Sequence, residues 1–261
     1  MVNPSVCPRI AELGNAAPGW GVIEIGTGIG VLTCELARRA DKVTAIEIDT
    51  RLMPVLQETL AEFDNIRIVN EDVLKVDLHR LIQEDFPGMP VAVCANLPYY
   101  ITSPILMMLL ESRLPIRSIT VMVQKEAAAR ICALPGTRDV GAVSIAVRYF
   151  SEPKLLFSVS RGSFMPAPNV DSAVIRLDVR EQTPPGVEDE RFFFRVVKAA
   201  FSQRRKALGN PLSAGLCLPK DQVLACMERA EVPFSARAEQ LSMEQFVRLA
   251  NELYNCPLSK K

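Results

Sequence analysis

Short apolar runs, separated by longer segments of mixed character, organise the first two thirds of the chain. Val22-Ile23-Glu24-Ile25, Val43-Thr44-Ala45-Ile46-Glu47-Ile48-Asp49, Ile66-Arg67-Ile68-Val69-Asn70-Glu71-Asp72-Val73-Leu74, Val91-Ala92-Val93-Cys94-Ala95 and Ile119-Thr120-Val121-Met122-Val123 are rich in β-branched residues and run into acidic, polar or glycine punctuation. Runs of this length predict buried strands. Between them, Val31–Ala37 and Ile105–Leu110 carry helical spacing, so strands and helices alternate as in an open parallel sheet. Val143-Ser144-Ile145-Ala146-Val147 and Ala173-Val174-Ile175-Arg176-Leu177 are expected to complete seven strands. Ile10-Ala11-Glu12-Leu13, closed by Gly14, reads as a helix end. Beyond Arg180-Glu181-Gln182-Thr183 and the Pro184-Pro185-Gly186 breaker, the pattern becomes helical over roughly 188–206, 220–230 and 243–255. The expectation is an α/β domain over 1–182 and a small all-helical domain over 183–261.

Composition narrows the class without choosing a function. Hydrophobic residues are 49% and charged residues 23% of 261, an ordinary globular balance with ample length for a core. No apolar run approaches the ~20 residues of a membrane span. Seven scattered cysteines include no Cys-x-x-Cys pair and follow no secretory signal, which reads as reduced thiols in a cytoplasm. The single histidine, His79, sits among Asp77, Arg80, Glu84 and Asp85 on an expected solvated helix face, so no metal site is expected. Net charge is zero, but residues 180–261 hold 13 Lys and Arg against 10 Asp and Glu, which permits a local nucleic-acid patch.

Chemistry concentrates where the predicted strands end. Asn96-Leu97-Pro98-Tyr99-Tyr100 follows the fourth run directly. Pro98 stops the ladder and holds Leu97 extended, at the strand edge where open α/β sheets bind ligands. The Asn96 side-chain oxygen and the Leu97 carbonyl can accept two hydrogen bonds from one amino group, and Tyr99 offers a flat face to an aromatic ring. An amino group on a flat ring describes a nucleobase such as adenine.

The first run leads into Gly26-Thr27-Gly28-Ile29-Gly30 and then a helix, the opening of a nucleotide-binding unit. A dinucleotide fingerprint would need glycine where Val31 stands. The second run ends at Glu47-Ile48-Asp49, where an acceptor for two ribose hydroxyls is needed; Glu47 fits better because Asp49 can cap the helix near Arg51. At the end of the third run, Asp72 can accept from an adenine amino group while Val73 and Ile48 sandwich the ring. Each acid alone is equally well read as a cap or turn residue. Their succession on consecutive strands is harder to reach by chance.

Asn96-Leu97-Pro98-Tyr99 has the Asn-x-Pro-Tyr form of enzymes that methylate the N6 amine of adenine. The glycine loop preceded by Glu24 resembles the S-adenosylmethionine loop of Rossmann-like methyltransferases. Asn96 through Leu106, Phe164-Met165-Pro166-Ala167-Pro168-Asn169-Val170-Asp171-Ser172 and Phe201-Ser202-Gln203-Arg204-Arg205-Lys206 resemble segments of the KsgA-type small-subunit ribosomal RNA adenine dimethyltransferases. The resemblance runs from about Asn3 to Tyr254 with the motifs in family order. Thr27 stands where many relatives have proline. The resemblance also implies a Gly-Gln-Asn-Phe segment over the cofactor, and this sequence starts after the point where it should occur.

What the resemblance implies is specific. The fold is the seven-stranded Rossmann-like sheet of class I S-adenosylmethionine-dependent methyltransferases. The cofactor is S-adenosylmethionine, with S-adenosylhomocysteine as product, held by Gly26, Gly28, Glu47, Ile48, Asp72, Val73 and Asn96. Asn96, Leu97 and Tyr99 are the catalytic set, and Phe164 is a second wall opposite Tyr99 around the target base. Arg195, Lys198, Arg204, Arg205 and Lys206 grip RNA; in the expected helix Arg191, Arg195, Lys198 and Arg205 share one face. The reaction dimethylates two adjacent adenines near the 3′ end of the rRNA within an immature 30S-type subunit, by a cytoplasmic monomer. The rivals are a large-subunit rRNA or DNA adenine methyltransferase, or an RNA-binding assembly factor in which methylation is secondary.

Overall fold

A computed structural model describes residues 3–98, 101–184, 186–203 and 205–256. In order, the chain forms α1 (Val6–Leu13), β1 (Gly21–Ile25), α2 (Val31–Ala37), β2 (Lys42–Ile46), α3 (Met53–Thr59), β3 (Ile66–Val69), α4 (Leu78–Asp85), β4 (Val91–Ala95), α5 (Thr102–Glu111), β5 (Ser118–Gln124) and α6 (Lys125–Cys132). Then follow α7 (Ala142–Phe150), β6 (Ser151–Val159), β7 (Ser172–Val179), α8 (Glu190–Ala200), α9 (Gly209–Leu216), α10 (Lys220–Arg229) and α11 (Met243–Tyr254). The seven strands make one sheet in the order β3-β2-β1-β4-β5-β7-β6. β1 to β5 are parallel, and β7 runs antiparallel between β5 and β6. Every residue of β1 and β4 is buried, as expected of central strands covered on both faces. No helix among the described residues is long and apolar enough to cross a membrane.

The contacts divide the chain into two compact units. The first joins Met1–Ala128 to Phe150–Glu181, and the second joins Ala129–Tyr149 to Gln182–Lys261. Residues 129–149 thus group with the C-terminal helices, a placement the proline-glycine breaker near residue 184 did not signal.

The sixth strand corrects the sequence reading. Val143–Val147 is not a strand but the middle of α7. Ser144, Ile145, Ala146, Val147, Tyr149 and Phe150 are all buried, as in a helix enclosed on most sides. Ser144 fixes the start of this helix: its hydroxyl accepts from Gly141 N–H at 2.9 Å and donates to the Arg130 carbonyl at 2.6 Å. The Arg148 guanidinium donates to the carbonyls of Cys132 and Ala133 at 2.7 and 2.8 Å, capping α6. The strand is instead the next segment, β6, whose polar residues and Pro153 suit a sheet edge.

In the second unit, the Tyr149 hydroxyl donates to Glu190 at 2.9 Å and its ring stacks on Phe193 at 5.2 Å. α8 starts at an Asp189 cap that accepts from Phe192 N–H. It ends at Ala200, six residues short of the expected Lys206, and a 3₁₀ turn over Phe201–Gln203 follows.

Candidate active site

The parallel strands end at one level. Val69 lies beside Ile46, Ile46 beside Ile25, Ile25 beside Ala95, and Ala95 beside Val121. The next residues, Asn70, Glu47, Gly26 and Asn96, therefore share the C-terminal edge of the sheet. β1 has β2 on one side and β4 on the other, so the chain reverses its direction of winding here. Such a switch point leaves a crevice for a ligand.

The loop after β1 is shaped for close approach. Gly28 has φ 58°, in the left-handed region, and a Cβ built there would meet no atom within 4 Å, so its backbone borders open space. Gly30, at φ 87°, caps α2 against α3, where an added Cβ would come within 3.2 Å of Leu56 and Leu60.

Glu47 ties this loop to β2. Its Oε2 accepts from the Thr27 hydroxyl at 3.2 Å and Gly28 N–H at 3.0 Å, and its Oε1 accepts from Asp49 N–H at 2.9 Å. The Glu47 carbonyl accepts from the Asn70 amide at 2.7 Å. Oε1 has one donor here and retains a lone pair for another. Asp49 accepts from Arg51 N–H at 3.0 Å and pairs with its guanidinium, which holds the carboxyl down at about 2. Asp49 is therefore the cap of the 3₁₀ turn over Thr50–Leu52, as its place in the sequence suggests.

The remaining expected cofactor positions differ in character. Ile48 is 65% exposed, a bare apolar side chain beside Glu47. Val73 is buried. Asp72 is half-buried, and its Oδ1 accepts from Leu74 N–H at 3.0 Å in the turn after β3.

Asn96 is exposed and makes no hydrogen bond with a described residue, whereas Leu97 is buried. A Cβ at Gly26 would lie 3.7 Å from Leu97 Cδ2, so Leu97 packs beneath the glycine loop. The Pro98 carbonyl accepts from Ile101 N–H at 3.1 Å and the Thr102 hydroxyl at 3.2 Å, turning the chain into α5. Tyr99 lies outside the described residues, as does Arg204.

Glu24 occupies the layer below. It is fully enclosed, and its Oε2 has no hydrogen-bond partner among the described residues. Burial pushes its carboxyl up to about 8; the nearby Thr33 hydroxyl opposes the rise and the Glu47 charge adds to it.

The loop from Ser160 to Asp171 joins β6 to β7 at the same edge. Asp171 Oδ1 accepts from Arg161 N–H at 3.0 Å, and its carbonyl accepts from Lys125 N–H at 3.0 Å. Phe164 is half-buried and packs against the cluster formed by α1, α2 and the sheet, while Met165 beside it is 82% exposed.

In the second unit, Arg191, Arg195 and Lys198 are exposed on α8, opposite the buried Phe192, Phe193, Val196 and Val197. Arg195 also lies over the Phe192 ring at 5.4 Å. Arg205 and Lys206 are exposed but come after the 3₁₀ turn, so they do not continue the helical stripe.

A profile of the family described as ribosomal RNA adenine dimethylase matches residues 1–255. The chain belongs to that family. A dimethylase relative from Geobacillus sp. (strain WCH70), "Ribosomal RNA small subunit methyltransferase A", is 49% identical over 257 residues, covering 97% of this chain and 88% of the relative. The protein of the same name from Alkaliphilus oremlandii (strain OhILAs) is 47% identical over 254 residues, with the same coverage. Among solved structures, a dimethyladenosine transferase from Plasmodium falciparum superposes with TM-score 0.80 at 25% identity, covering 96% of each chain. The 23S rRNA methyltransferase ErmE superposes with TM-score 0.70 at 31% identity, covering 95% of this chain and 96% of its own.

For a dimethylase, the sequence reading left two supports unassigned. Thr27 stands out in the sequence only as a departure from proline, yet its hydroxyl holds Glu47. Asn70 anchors the Glu47 backbone. The strand expected over 66–74 encloses Asn70, whereas β3 ends at Val69 and leaves it first beyond the strand.

Proposed function

We propose that this dimethylase converts two adjacent adenines near the 3′ end of small-subunit rRNA to N6,N6-dimethyladenine, using S-adenosylmethionine, during ribosome biogenesis. The observation that carries the reading is the row of strand ends, which sets the glycine loop, Glu47 and Asn96 side by side at the switch point. The residues present fit the cofactor: open space over Gly28 for its backbone contact, a remaining acceptor on Glu47 for ribose, and exposed Ile48 against the adenine. Asp72 completes the adenosine end through its amino-group acceptor, with buried Val73 forming the floor.

S-adenosylmethionine, when bound, supplies an electrophilic methyl on sulfur. The chain has to present a nucleophile. The amino lone pair of adenine is delocalised into its ring, which makes the nitrogen poorly reactive. Acceptors at Asn96 and the Leu97 carbonyl draw the amino hydrogens toward themselves and aim the lone pair at the methyl. No base is needed before transfer, because the positive charge passes to nitrogen and the proton leaves afterwards. His79 is not required: its Nε2 lies 2.8 Å from the Ser112 carbonyl at the end of α5. Alignment supplies most of the rate. Tyr99 and Phe164 hold the extruded base, and Arg195, Lys198, Arg204, Arg205 and Lys206 contact the RNA backbone.

A small-subunit substrate is favoured over a large-subunit one because relatives named for the small subunit reach 49% identity, against 31% for ErmE. Incubation with unmethylated small subunits and isotopically labelled cofactor, followed by nucleotide mapping, tests the reading. Label in paired dimethyladenosines near the 3′ end is expected. Label confined to large-subunit rRNA would overturn the substrate.

A further inference from the structure

Phe234 is 54% exposed, and no other aromatic side chain among the described residues is exposed. A single apolar residue at a surface needs no explanation by itself. The setting of this one does. Val232 and Ala236 on either side of it are buried. Between them Ala236 N–H donates to the Pro233 carbonyl at 2.9 Å, closing a turn with Phe234 and Ser235 at its centre. Val232 N–H donates to the Met227 carbonyl at 2.8 Å, which ties the turn to the end of α10. Both feet of the turn are pinned, and the ring is the part left in water.

The same turn lies against two cations. The Ala236 carbonyl accepts from Leu208 N–H at 2.9 Å, which docks the turn on the segment where Arg205 and Lys206 are exposed. Phe234 and Lys206 each stand two residues from that bonded pair, so backbone accounts for no more than about 7 Å on either side of it. Neither Arg205 nor Lys206 makes an ion pair with a described residue. The carboxylates beside the turn are engaged elsewhere: Glu231 pairs with Arg248 at 2.5 Å, and Glu239 with Arg237 at 3.9 Å. A flat apolar face beside positive charges is the combination that binds a single strand, by base stacking and phosphate contact together.

We propose that Phe234 stacks on one unpaired base of an RNA strand whose phosphates lie on Arg205 and Lys206. Cations without carboxylate partners favour a polyanion over a protein as the occupant. The phosphate contacts are those of the function proposed above, and Phe234 adds a base contact in the second unit. RNA is chosen over DNA because the proposed substrate is RNA, and that choice rests on the earlier reading.

The full chain is titrated at several salt concentrations with a ten-residue oligouridylate, which offers no adenine to the active site, and with an abasic strand of the same length. F234A should weaken binding to oligouridylate roughly fivefold or more, as loss of one stack does, with an unchanged salt slope. Its affinity for the abasic strand should equal that of the parent. F234W keeps a flat face and should bind oligouridylate as the parent does. R205Q/K206Q should instead lower the salt slope on both strands, by about 0.7 for each phosphate released. Unchanged affinity of F234A for oligouridylate, an equal loss on the abasic strand, or an equal loss in F234W overturns the stacking role. Tighter binding of oligodeoxythymidylate than of oligouridylate, with the same loss in F234A, overturns the RNA assignment. Methylation of small subunits is followed separately. Its absence with the F234A pattern intact would remove the substrate reading and leave the stacking site, and the converse would remove the stacking site alone.

Discussion

At the scale of single residues, the same carboxylate that is proposed to hold the ribose also holds the loop that surrounds it. Glu47 already accepts from Thr27, Gly28 and Asp49, so a ligand hydroxyl would join a preorganised acceptor. Glu47→Gln turns one oxygen into a donor facing those donors. Cofactor affinity should fall by about 1.5–3 kcal/mol, the range for hydrogen bonds to charged groups. Calorimetry with S-adenosylhomocysteine decides it, and an unchanged Kd would remove Glu47 from the ribose. Asn96 presents the opposite case. It is exposed and unbonded to described residues, so Asn96→Ala should leave stability within about 0.5 kcal/mol. Single-turnover methylation with saturating RNA should nevertheless drop about 10²-fold, as misplacement of a reacting group does. Retention of most of the rate would end the amine-orienting role.

Glu24 makes a residue-scale prediction in pH. The folded carboxyl titrates near 8 and the free one near 4.5, because burial disfavours the charged form. Between those values the native state keeps a proton that the unfolded chain releases. Stability therefore falls as pH rises from about 4.5 to about 8 and levels off above, by an amount on the order of a few kcal/mol. Glu24→Gln lacks this titration. Its denaturant midpoint, compared with the parent at intervals from pH 5 to 9, should gain on the parent as pH rises. Parallel curves would show that Glu24 is not buried as a neutral acid.

At the scale of elements, helix α8 separates what a repeat can specify from what packing decides. Sequence spacing extends the helix to Lys206, but Phe201 turns inward to stack on Phe246 at 5.9 Å, and Ser202 donates its hydroxyl back to the Ala199 carbonyl at 2.7 Å. The helix stops there, and Arg205 and Lys206 leave its axis. Arg195 and Lys198 remain on one exposed face. Each single alanine variant should therefore lower the salt slope of RNA binding by about 0.7–0.9 for every phosphate left without its cation. Slopes equal to that of the parent would make this face a solvated surface only.

The same distinction explains what was legible in the chain. Strands β1, β2, β4 and β5 announce themselves because both their faces are largely buried, leaving continuous apolar runs with abrupt ends, whereas β3 is an edge strand only partly buried and shows itself through Ile66, Ile68 and Val69. Gly26, Glu47 and Asn96 of the candidate site stand out in the sequence because they are the first residues beyond three of those ends. β6 does not: an edge strand has one partner and carries Glu152, Pro153 and Lys154 where a central strand would be apolar. The run at 143–147 looked like its substitute because β-branched residues favour strands and its residues are buried in succession, yet the Ser144 hydroxyl bonds to Gly141 and Arg130, and the Arg148 guanidinium on the end of α6, hold it as a helix. Thr27 and Asn70 were illegible for another reason. Their partners lie 20 and 23 residues away, and only the paired strands bring them together.

At the scale of the whole molecule, the proposed cofactor contacts all fall in one of the two units. Gly26, Gly28, Glu47, Ile48, Asp72, Val73 and Asn96 belong to the unit that contains the sheet, while the α8 cations belong to the other. A ligand that binds only the native state stabilises by RT ln(1 + [L]/Kd), about 2.7 kcal/mol at a hundredfold excess over Kd. If S-adenosylhomocysteine occupies the strand-end crevice, hydrogen–deuterium exchange should slow first in the peptides covering 26–30, 47–49, 70–74 and 96–98. Exposed backbone there, beginning with the glycine loop, has the most to gain from ligand contacts. The helices from α8 to α11 carry their own core, including Phe193, Phe246 and Leu249, all buried. Their exchange should change little. RNA should give the reverse pattern in the second unit, slowing peptides around 195–206 with or without cofactor. Protection by S-adenosylhomocysteine confined to residues 190–250, with the glycine loop untouched, would place the cofactor elsewhere and dissolve the assignment of every strand-end residue at once.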